Sequence, residues 1–314
     1  DAPDVDRWWV AIAQLNGMSS QDSPISRQQG YHLMESIALA RPAGYWHGGA
    51  TPGPHLIDWP EGREVTPAAP MEADIDGAFA AGWLLDRMEE ADPPRPVLVE
   101  WLDLALARRT LVAPLSILSR LNRMAGDGSI ELASRIAALL PRAWDIDFDG
   151  AAKLEQTLLS REGQVRSALA DALDEILHRR GAAALPLLDT LLSDESEYVV
   201  RIATGSIRLT ATLDPGGFAN RCARLVHQAD SGIHRRFSQT ALRDYLVLHP
   251  EDRKGLTVQL WINGDEIVRS RLRELLLHMV DEHAEALSGI LTRIVEMDGA
   301  DSLSDLWRVL EVRS

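Results

Sequence analysis

The sequence predicts an all-α protein, built as a right-handed α-solenoid of helical hairpins. The clearest hairpin begins at residue 185, and the apolar residues of its first helix fall at helical spacing: Leu185, Leu188, Leu191 and Leu192. A short acidic turn at residues 194–197 follows, and a second helix then opens on Val200-Arg201. Neither helix can bury its apolar face alone, so each needs neighbours of the same kind.

The Val200-Arg201 pair recurs along the chain at a nearly constant interval. Equivalent pairs stand at Val165-Arg166, His234-Arg235 and Val268-Arg269. Their arginines are 35, 34 and 34 residues apart. Apolar pairs in the preceding helices repeat with nearly the same interval: Leu158-Leu159, Leu191-Leu192, Leu225-Val226, Leu260-Trp261 and Ile294-Val295. Two independent features with one period are typical of a stacked array of helical hairpins.

The stretch 185–203 resembles a HEAT repeat. It has Leu-Pro-Leu-Leu in the first helix, an acidic turn, and Val-Arg at the start of the second helix. The resemblance extends over about residues 154–280. It implies a HEAT-like solenoid with a binding role and specifies no reaction, since one fold hosts many functions.

The resemblance also assigns the recurring arginines. Arg201 matches the arginine that the HEAT family has in its second helix, and three other arginines align with it: Arg166, Arg235 and Arg269. The family's turn aspartate is replaced by Glu195, Ala229 and Asn263, each six residues before its arginine. An aspartate–arginine ladder would therefore have to use the nearby carboxylates of Asp194, Asp230 and Asp265.

The remaining elements follow from apolar periodicity and from breaks rich in Gly, Asp and Pro. Helices are predicted over 5–15, 27–40, 72–90 and 93–109, and helix pairs follow. The predicted breaks are 127–128, 145–150, 161–163, 194–197, 230–232, 263–264 and 298–301. No β-sheet of consequence is expected. We expect two parts: residues 1–90, which cap the solenoid, and residues 91–314, which form it.

Residues 41–71 contain many Pro and Gly residues and form a predicted irregular loop. Trp46, His47 and Trp59 in this loop are candidates for partner binding, because aromatic side chains offer large contact area at low entropic cost. His47, His55 and Asp58 could instead bind a metal. The simplest alternative is that the tryptophans pin the loop over one end of the solenoid.

The arginines of the second helices are the other candidate partner-binding residues: Arg201, Arg235, Arg236, Arg269, Arg271 and Arg273. In a HEAT-like stack the second helices line the concave face, where guanidinium groups could bind carboxylates or phosphates. The alternative is internal pairing with acidic turns of the adjacent repeat, which we favour for the arginines in register. Arg236, Arg271 and Arg273 lie outside that register and are the better candidates.

Asp145, Asp147 and Asp149 imitate the opening of a calcium-binding loop. Position twelve of that loop is Gln156 rather than the bidentate glutamate, which argues against calcium. Asp149 as the N-cap of a helix starting at Ala151 is the simpler interpretation. We expect neither a metal nor another cofactor.

The charge distribution limits the partners. The net charge is −15, and residues 1–90 carry five basic and fourteen acidic residues. This acidity argues against binding to nucleic acid or to an anionic membrane, because like charges repel.

Further features suggest a bacterial, cytoplasmic protein. All basic residues except Lys153 and Lys254 are arginine, which is typical of GC-rich coding. The single cysteine, Cys222, favours a reducing compartment and a buried, inert thiol. We expect no signal peptide and no transmembrane helix. The sequence starts at Asp1 without methionine, which is consistent with a fragment or a processed form.

No catalytic motif stands out in the sequence. It contains no Gly-x-Ser-x-Gly, no phosphate-binding glycine loop and no His-Glu-x-x-His. The leading hypothesis is therefore a non-enzymatic scaffold or regulatory subunit that binds a protein partner through the concave face and the 41–71 loop. One alternative is an acidic inhibitor or immunity-type protein that neutralises a basic enzyme. A second is an enzyme similar to the DNA alkylation-repeat glycosylases, which the acidic composition disfavours.

Overall fold

The computed structural model describes residues 79–80, 82–90, 96–107 and 114–299. This part of the chain is helical throughout apart from turns, with no β-strand, which confirms the predicted all-α class for these residues. The chain divides into two compact units, residues 1–165 and 166–314. The predicted division near residue 90 differs from this one and stays a prediction, since most of residues 1–90 lie outside the described ranges.

The first unit contains short helices that pack around a leucine-rich core. They are α1 (Trp83–Glu90), α2 (Pro96–Ala107), α3 (Pro114–Asp127), α4 (Ile130–Ala137), α5 (Leu140–Ile146) and α6 (Phe148–Leu159). Helix α3 packs against α4 and α6, and α5 packs against α2 and α6. Trp101, Leu121 and Leu154 are completely buried. The border between the units falls inside the next helix, α7 (Gly163–Asp171).

The second unit continues with helices of which six form three hairpins. They are α8 (Leu173–Arg180), α9 (Leu185–Leu191), α10 (Glu197–Ala203), α11 (Thr210–Leu213), α12 (Pro215–Val226), α13 (Ser231–Thr240), α14 (Leu242–Leu248), α15 (Leu256–Asn263), α16 (Glu266–Glu282) and α17 (Ala284–Asp298). Hairpins form between α9 and α10, between α12 and α13, and between α15 and α16. We call α9, α12 and α15 the first helices and α10, α13 and α16 the second helices.

Within the second unit, like helices contact like. The second helix α13 packs against α10 on one side and against α16 on the other, and the first helix α12 packs against α15. The hairpin of α12 and α13 therefore packs against the hairpin of α15 and α16 through both of its helices.

Both repeating sequence features lie in the core. The residues before the recurring arginines are all buried: Val165, Val200, His234 and Val268. So are both members of the apolar pairs Leu191-Leu192, Leu225-Val226 and Leu260-Trp261, whereas the second members of the outer pairs, Leu159 and Val295, are only partly covered. In the hairpin at residue 185, Leu188, Leu191 and Leu192 are buried as expected. Leu187 is buried there as well, while Leu185 is only partly covered.

The second helices differ from the prediction because two of them are interrupted. Helix α10 passes into a 3₁₀ segment, Thr204–Leu209, before the chain resumes as α11. The hydroxyl of Thr204 donates to the carbonyl of Val200 at 2.7 Å, and Gly205 follows it. A side chain that bonds back to its own turn and a glycine both weaken a regular helix. Helix α13 also ends early, at Ala241, whereas α16 runs unbroken for 17 residues.

The single cysteine is buried, as the sequence predicts. Cys222 lies in α12 with no exposed surface, and burial raises the pKa of its thiol. A thiol with a raised pKa carries little of the reactive thiolate at neutral pH.

No helix in the described ranges is both long enough and apolar enough to cross a bilayer.

Candidate functional site

The arginines of the second unit form recurring ion pairs with the turn of the following hairpin. The pairs are Arg166 with Asp194, Arg201 with Asp230, and Arg235 with Asp265. The Arg166 Nε donates to Asp194 at 2.6 Å, and the Arg201 Nη2 donates to Asp230 at 3.0 Å. The aspartates of this ladder are the three nearby residues that the sequence offered in place of the family's own position.

The same aspartates also organise the turns in which they lie. Asp230 accepts a hydrogen bond from the amide of Ile233 at 2.7 Å, and Asp265 accepts one from Val268 at 3.1 Å. Each is thus the N-cap of a second helix. Burial alone would raise the pKa of Asp230, but the Ile233 amide and the Arg201 guanidinium hold that pKa below its ordinary value. The carboxylate is therefore held in its charged form.

Arg269, the fourth arginine in register, behaves differently. Its Nε donates to the carbonyl of Trp261 at 2.9 Å, at the end of the first helix of its own hairpin. This contact ties the two helices of that hairpin together rather than joining successive hairpins.

Arg271 and Arg273 lie near carboxylates of their own helix. Arg271 pairs with Glu274, and Arg273 pairs with Glu266 at 2.8 Å. The Arg273 guanidinium also lies 5.7 Å from the centroid of the Trp261 ring, a cation–π contact. Both side chains are therefore engaged within α16 and α15.

Arg236 is the exception among the candidate arginines. It is exposed on α13, and its side chain forms no hydrogen bond or ion pair with another described residue. Its charge interacts with that of Asp171 without a hydrogen bond between them. The guanidinium instead lies against Gly205, where an added β-carbon would come within 2.7 Å of Nη2. Glycine thus leaves room for this guanidinium on the surface of the neighbouring second helix.

A matching arrangement runs in the opposite direction between the same two helices. Arg201 lies against Gly232 in α13, where an added β-carbon would come within 2.6 Å of the arginine Cζ. Each of the two neighbouring elements therefore places an arginine side chain over a glycine of the other: Arg201 covers Gly232, and Arg236 covers Gly205. The Nε of Arg201 is buried and has no hydrogen-bond partner among the described residues.

We call the patch formed by Arg201, Arg236, Gly205 and Gly232 the arginine surface. Sequence reasoning identified its arginines as candidates and missed its glycines. Gly205 interrupts a helical pattern and Gly232 lies in the first turn of α13, both positions where glycine costs stability. An isolated glycine in a helical pattern usually has a packing reason. That signal could have been read, but nothing in the sequence shows which arginine lies above which glycine.

The other candidate partner-binding residues, Trp46, His47 and Trp59, lie outside the described residues, as do His55 and Asp58. Their proposed role stays a prediction.

The three aspartates of the calcium hypothesis do not form a metal-binding group. Asp145, Asp147 and Asp149 are all described, and no cluster of three or more possible ligands is found in the described ranges. The helix cap is Asp147 rather than Asp149, because Asp147 accepts from the amide of Gly150 at 2.6 Å and α6 begins at Phe148. The expected start at Ala151 is therefore wrong by three residues.

Comparison of the chain with protein-family models, with curated proteins and with solved structures finds no match.

Proposed function

We propose that this chain is a HEAT-like, right-handed α-solenoid that acts as a non-enzymatic binding scaffold or regulatory subunit in a bacterial cytoplasm. The observation that carries the proposal is the arginine–aspartate ladder, which joins successive hairpins. The two residues of each pair stand 28 to 30 positions apart in the sequence. Packing of α13 between α10 and α16 supports the same arrangement. An array of this kind offers an extended surface for partners.

The proposed partner is a protein that presents carboxylates to the second helices. Arg166, Arg201 and Arg235 are neutralised by their aspartates, so they contribute little net attraction. Arg236 retains a full, exposed charge without a hydrogen-bonded carboxylate in the described part of the chain. A carboxylate on a partner can therefore bind Arg236 without first breaking an internal ion pair.

The 41–71 loop is the second proposed contact with the partner. Trp46, His47 and Trp59 would supply the aromatic contact area that protein interfaces favour. The arginine surface and the loop can be tested separately, because the variants that change one leave the residues of the other unchanged.

The test is affinity capture from the native host with the tagged chain and three variants. Arg236→Glu reverses the exposed charge, and Gly205→Ala displaces the guanidinium without changing its charge. Arg243→Glu is the matched control, since Arg243 is also exposed on a neighbouring helix and its side chain has no hydrogen bond in the described part. We expect the partner to be lost with Arg236→Glu, weakened with Gly205→Ala and kept with Arg243→Glu.

Deletion of residues 41–71 tests the loop in the same experiment. Unchanged capture by Arg236→Glu would reject the arginine surface, and unchanged capture by the deletion variant would reject the loop.

One observation favours an alternative, an acidic inhibitor or immunity-type protein. Residues 1–90 concentrate the negative charge and could cover the cationic cleft of a basic enzyme such as a nuclease. A complex that is lost on removal of residues 1–78 and weakened by salt, but unaffected by Arg236→Glu, would favour this alternative. A glycosylase of the alkylation-repeat type is the least supported possibility.

A further inference from the structure

A partly open pocket of about 430 Å³ lies at the C-terminal end of α14. It is lined by the end of α14, by the segment 249–254 and by Ala219 of α12, and none of the candidate arginines lines it. Its volume falls within the range of natural ligand sites, about 300 to 1,000 Å³. The hairpin packing described above has no evident need for this opening.

The segment 249–255 is held in a fixed shape by a buried carboxylate. Asp252 is completely buried and accepts hydrogen bonds from the Tyr245 hydroxyl at 2.9 Å and from the amides of Leu256 and Thr257 at 2.8 and 3.1 Å. Arg293 of α17 donates to the carbonyl of Asp252 at 2.8 Å. The walls of the pocket are therefore formed before any ligand arrives, which lowers the entropic cost of binding.

The backbone of this segment is strained where it turns. Asp252 has φ +42°, and it is the only non-glycine residue with positive φ in the described ranges. Gly255, with φ +68°, completes the turn into α15. Such conformations persist when the surroundings enforce them, and they concentrate at ligand sites.

The inner wall is mostly apolar and aromatic. Tyr245 and His249 lie with their ring centroids 5.3 Å apart, and Leu248, Pro250 and Ala219 complete the wall. Tyr245 underlies this wall, with 1% of its surface exposed and its hydroxyl bonded to Asp252, so the accessible part of the wall is formed by Leu248, His249 and Pro250. This wall suits a flat or branched hydrocarbon group.

The rim carries positive charge that is only weakly neutralised. The Lys254 ammonium donates to the neutral amide oxygen of Asn220 at 2.9 Å and has no carboxylate partner among the described residues. Arg253 pairs with Glu251, but both side chains are largely exposed, and solvent screens such a pair. An incoming anion can thus bind Lys254 directly and compete for Arg253.

We infer that this pocket binds a small organic acid, with its apolar or aromatic body against Leu248, His249 and Pro250 and its carboxylate at Lys254 and Arg253. The site is separate from the arginine surface and does not depend on the proposed scaffold function. It assigns a small-molecule ligand to a chain whose other features favour a protein partner.

Phenylacetate is a suitable probe, with phenylacetamide as its uncharged counterpart. We expect saturable chemical-shift changes for Tyr245, Leu248 and His249 on titration of the full chain with phenylacetate. A small probe binds weakly, in the range of about 1 mM. Loss of the charge–charge contact should weaken binding by about tenfold for phenylacetamide, and by about tenfold for phenylacetate with Lys254→Gln.

The control is Arg243→Gln, which removes an exposed charge from α14 outside the pocket and should leave the titration unchanged. Lys254 is exposed, so its replacement preserves the fold. Equal binding of acid and amide, equal binding by Lys254→Gln, or the absence of saturable shifts at the pocket residues would each overturn the inference.

Discussion

Single carboxylates perform two tasks in the second unit. Asp230 and Asp265 each cap a second helix and neutralise an arginine of the preceding hairpin. The sequence shows where these arginines stand, because they recur at a fixed interval. Their partners do not follow a fixed offset: Asp194, Asp230 and Asp265 stand seven, five and four residues before their own arginines. The ion pair forms in all three turns, whereas only Asp230 and Asp265 also cap the following helix, since α10 has Ser196 at its N-cap.

A carboxylate in the first unit makes a prediction about pH. Glu89 accepts hydrogen bonds from Arg120 at 2.7 Å and from Arg123 at 2.6 Å, and these guanidinium groups lower its pKa from 4.5 to about 2 despite partial burial. A carboxyl group whose pKa is lower in the folded state stabilises the fold above its unfolded pKa. That stabilisation is lost as the pH falls from about 4.5 towards 2.

We expect Glu89→Gln to reduce the free energy of unfolding by about 1 to 2 kcal/mol at pH 7, since partial exposure screens the pair. The difference between the two proteins should shrink steadily below pH 4.5, as measured by urea unfolding at a series of pH values. Glu131→Gln is the control, because Glu131 makes a looser contact with Arg135, at 3.8 Å, on the surface of the same unit. A Glu89→Gln effect that stays constant down to pH 2 would contradict this account.

The helices show which parts of the fold the sequence could predict. Apolar spacing located the hairpins from residue 185 to residue 282, because burial of one helical face leaves a strong periodic signal. The interruptions at Thr204 and Ala241 were not predicted, since they depend on a side chain bonding back to its own turn and on close packing of neighbouring helices. Arg236 was predicted, with Arg271 and Arg273, as a better partner-binding candidate than the arginines in register. Its position over Gly205 follows only from the packing of the helices.

The packing of Arg201 against Gly232 predicts an unusual effect of replacing this glycine by alanine. In an ordinary helix, Gly→Ala stabilises by about 0.5 to 1 kcal/mol. Gly232→Ala should instead give little or no stabilisation, because the new methyl group would displace the Arg201 side chain and separate it from Asp230, a partly exposed pair that contributes about 0 to 1 kcal/mol.

Gly289→Ala in α17 is the matched control, since no atom lies within 4 Å of its added β-carbon. Thermal or urea unfolding of both variants measures the difference. Stabilisation of similar size at the two positions would mean that the Arg201–Gly232 contact has no energetic role.

At the scale of the whole molecule, composition constrains the partners more firmly than the fold does. A chain with net charge −15 repels a phosphate backbone, and the candidate arginines other than Arg236 already have internal partners in the described part. The predicted all-helical class is confirmed for the described residues. The border between the two compact units, inside α7, had no signal in the sequence because the helix continues across it.

We therefore expect no binding to duplex DNA at physiological salt. Fluorescence anisotropy of a labelled duplex should stay constant up to micromolar protein in about 0.15 M salt, with a basic DNA-binding protein as the positive control. Submicromolar affinity under these conditions would favour the glycosylase alternative and count against the scaffold.

The doubled use of Asp230 and Asp265 has a consequence for cooperativity. When the hairpin that carries Asp230 loses its order, Arg201 of the preceding hairpin loses its carboxylate partner and α13 loses its N-cap in the same event. Opening of the α9–α10 or the α12–α13 hairpin breaks one of these ion pairs on each side, whereas opening of the α15–α16 hairpin breaks one only. We therefore expect these hairpins to unfold as one cooperative unit, although each is a small local element.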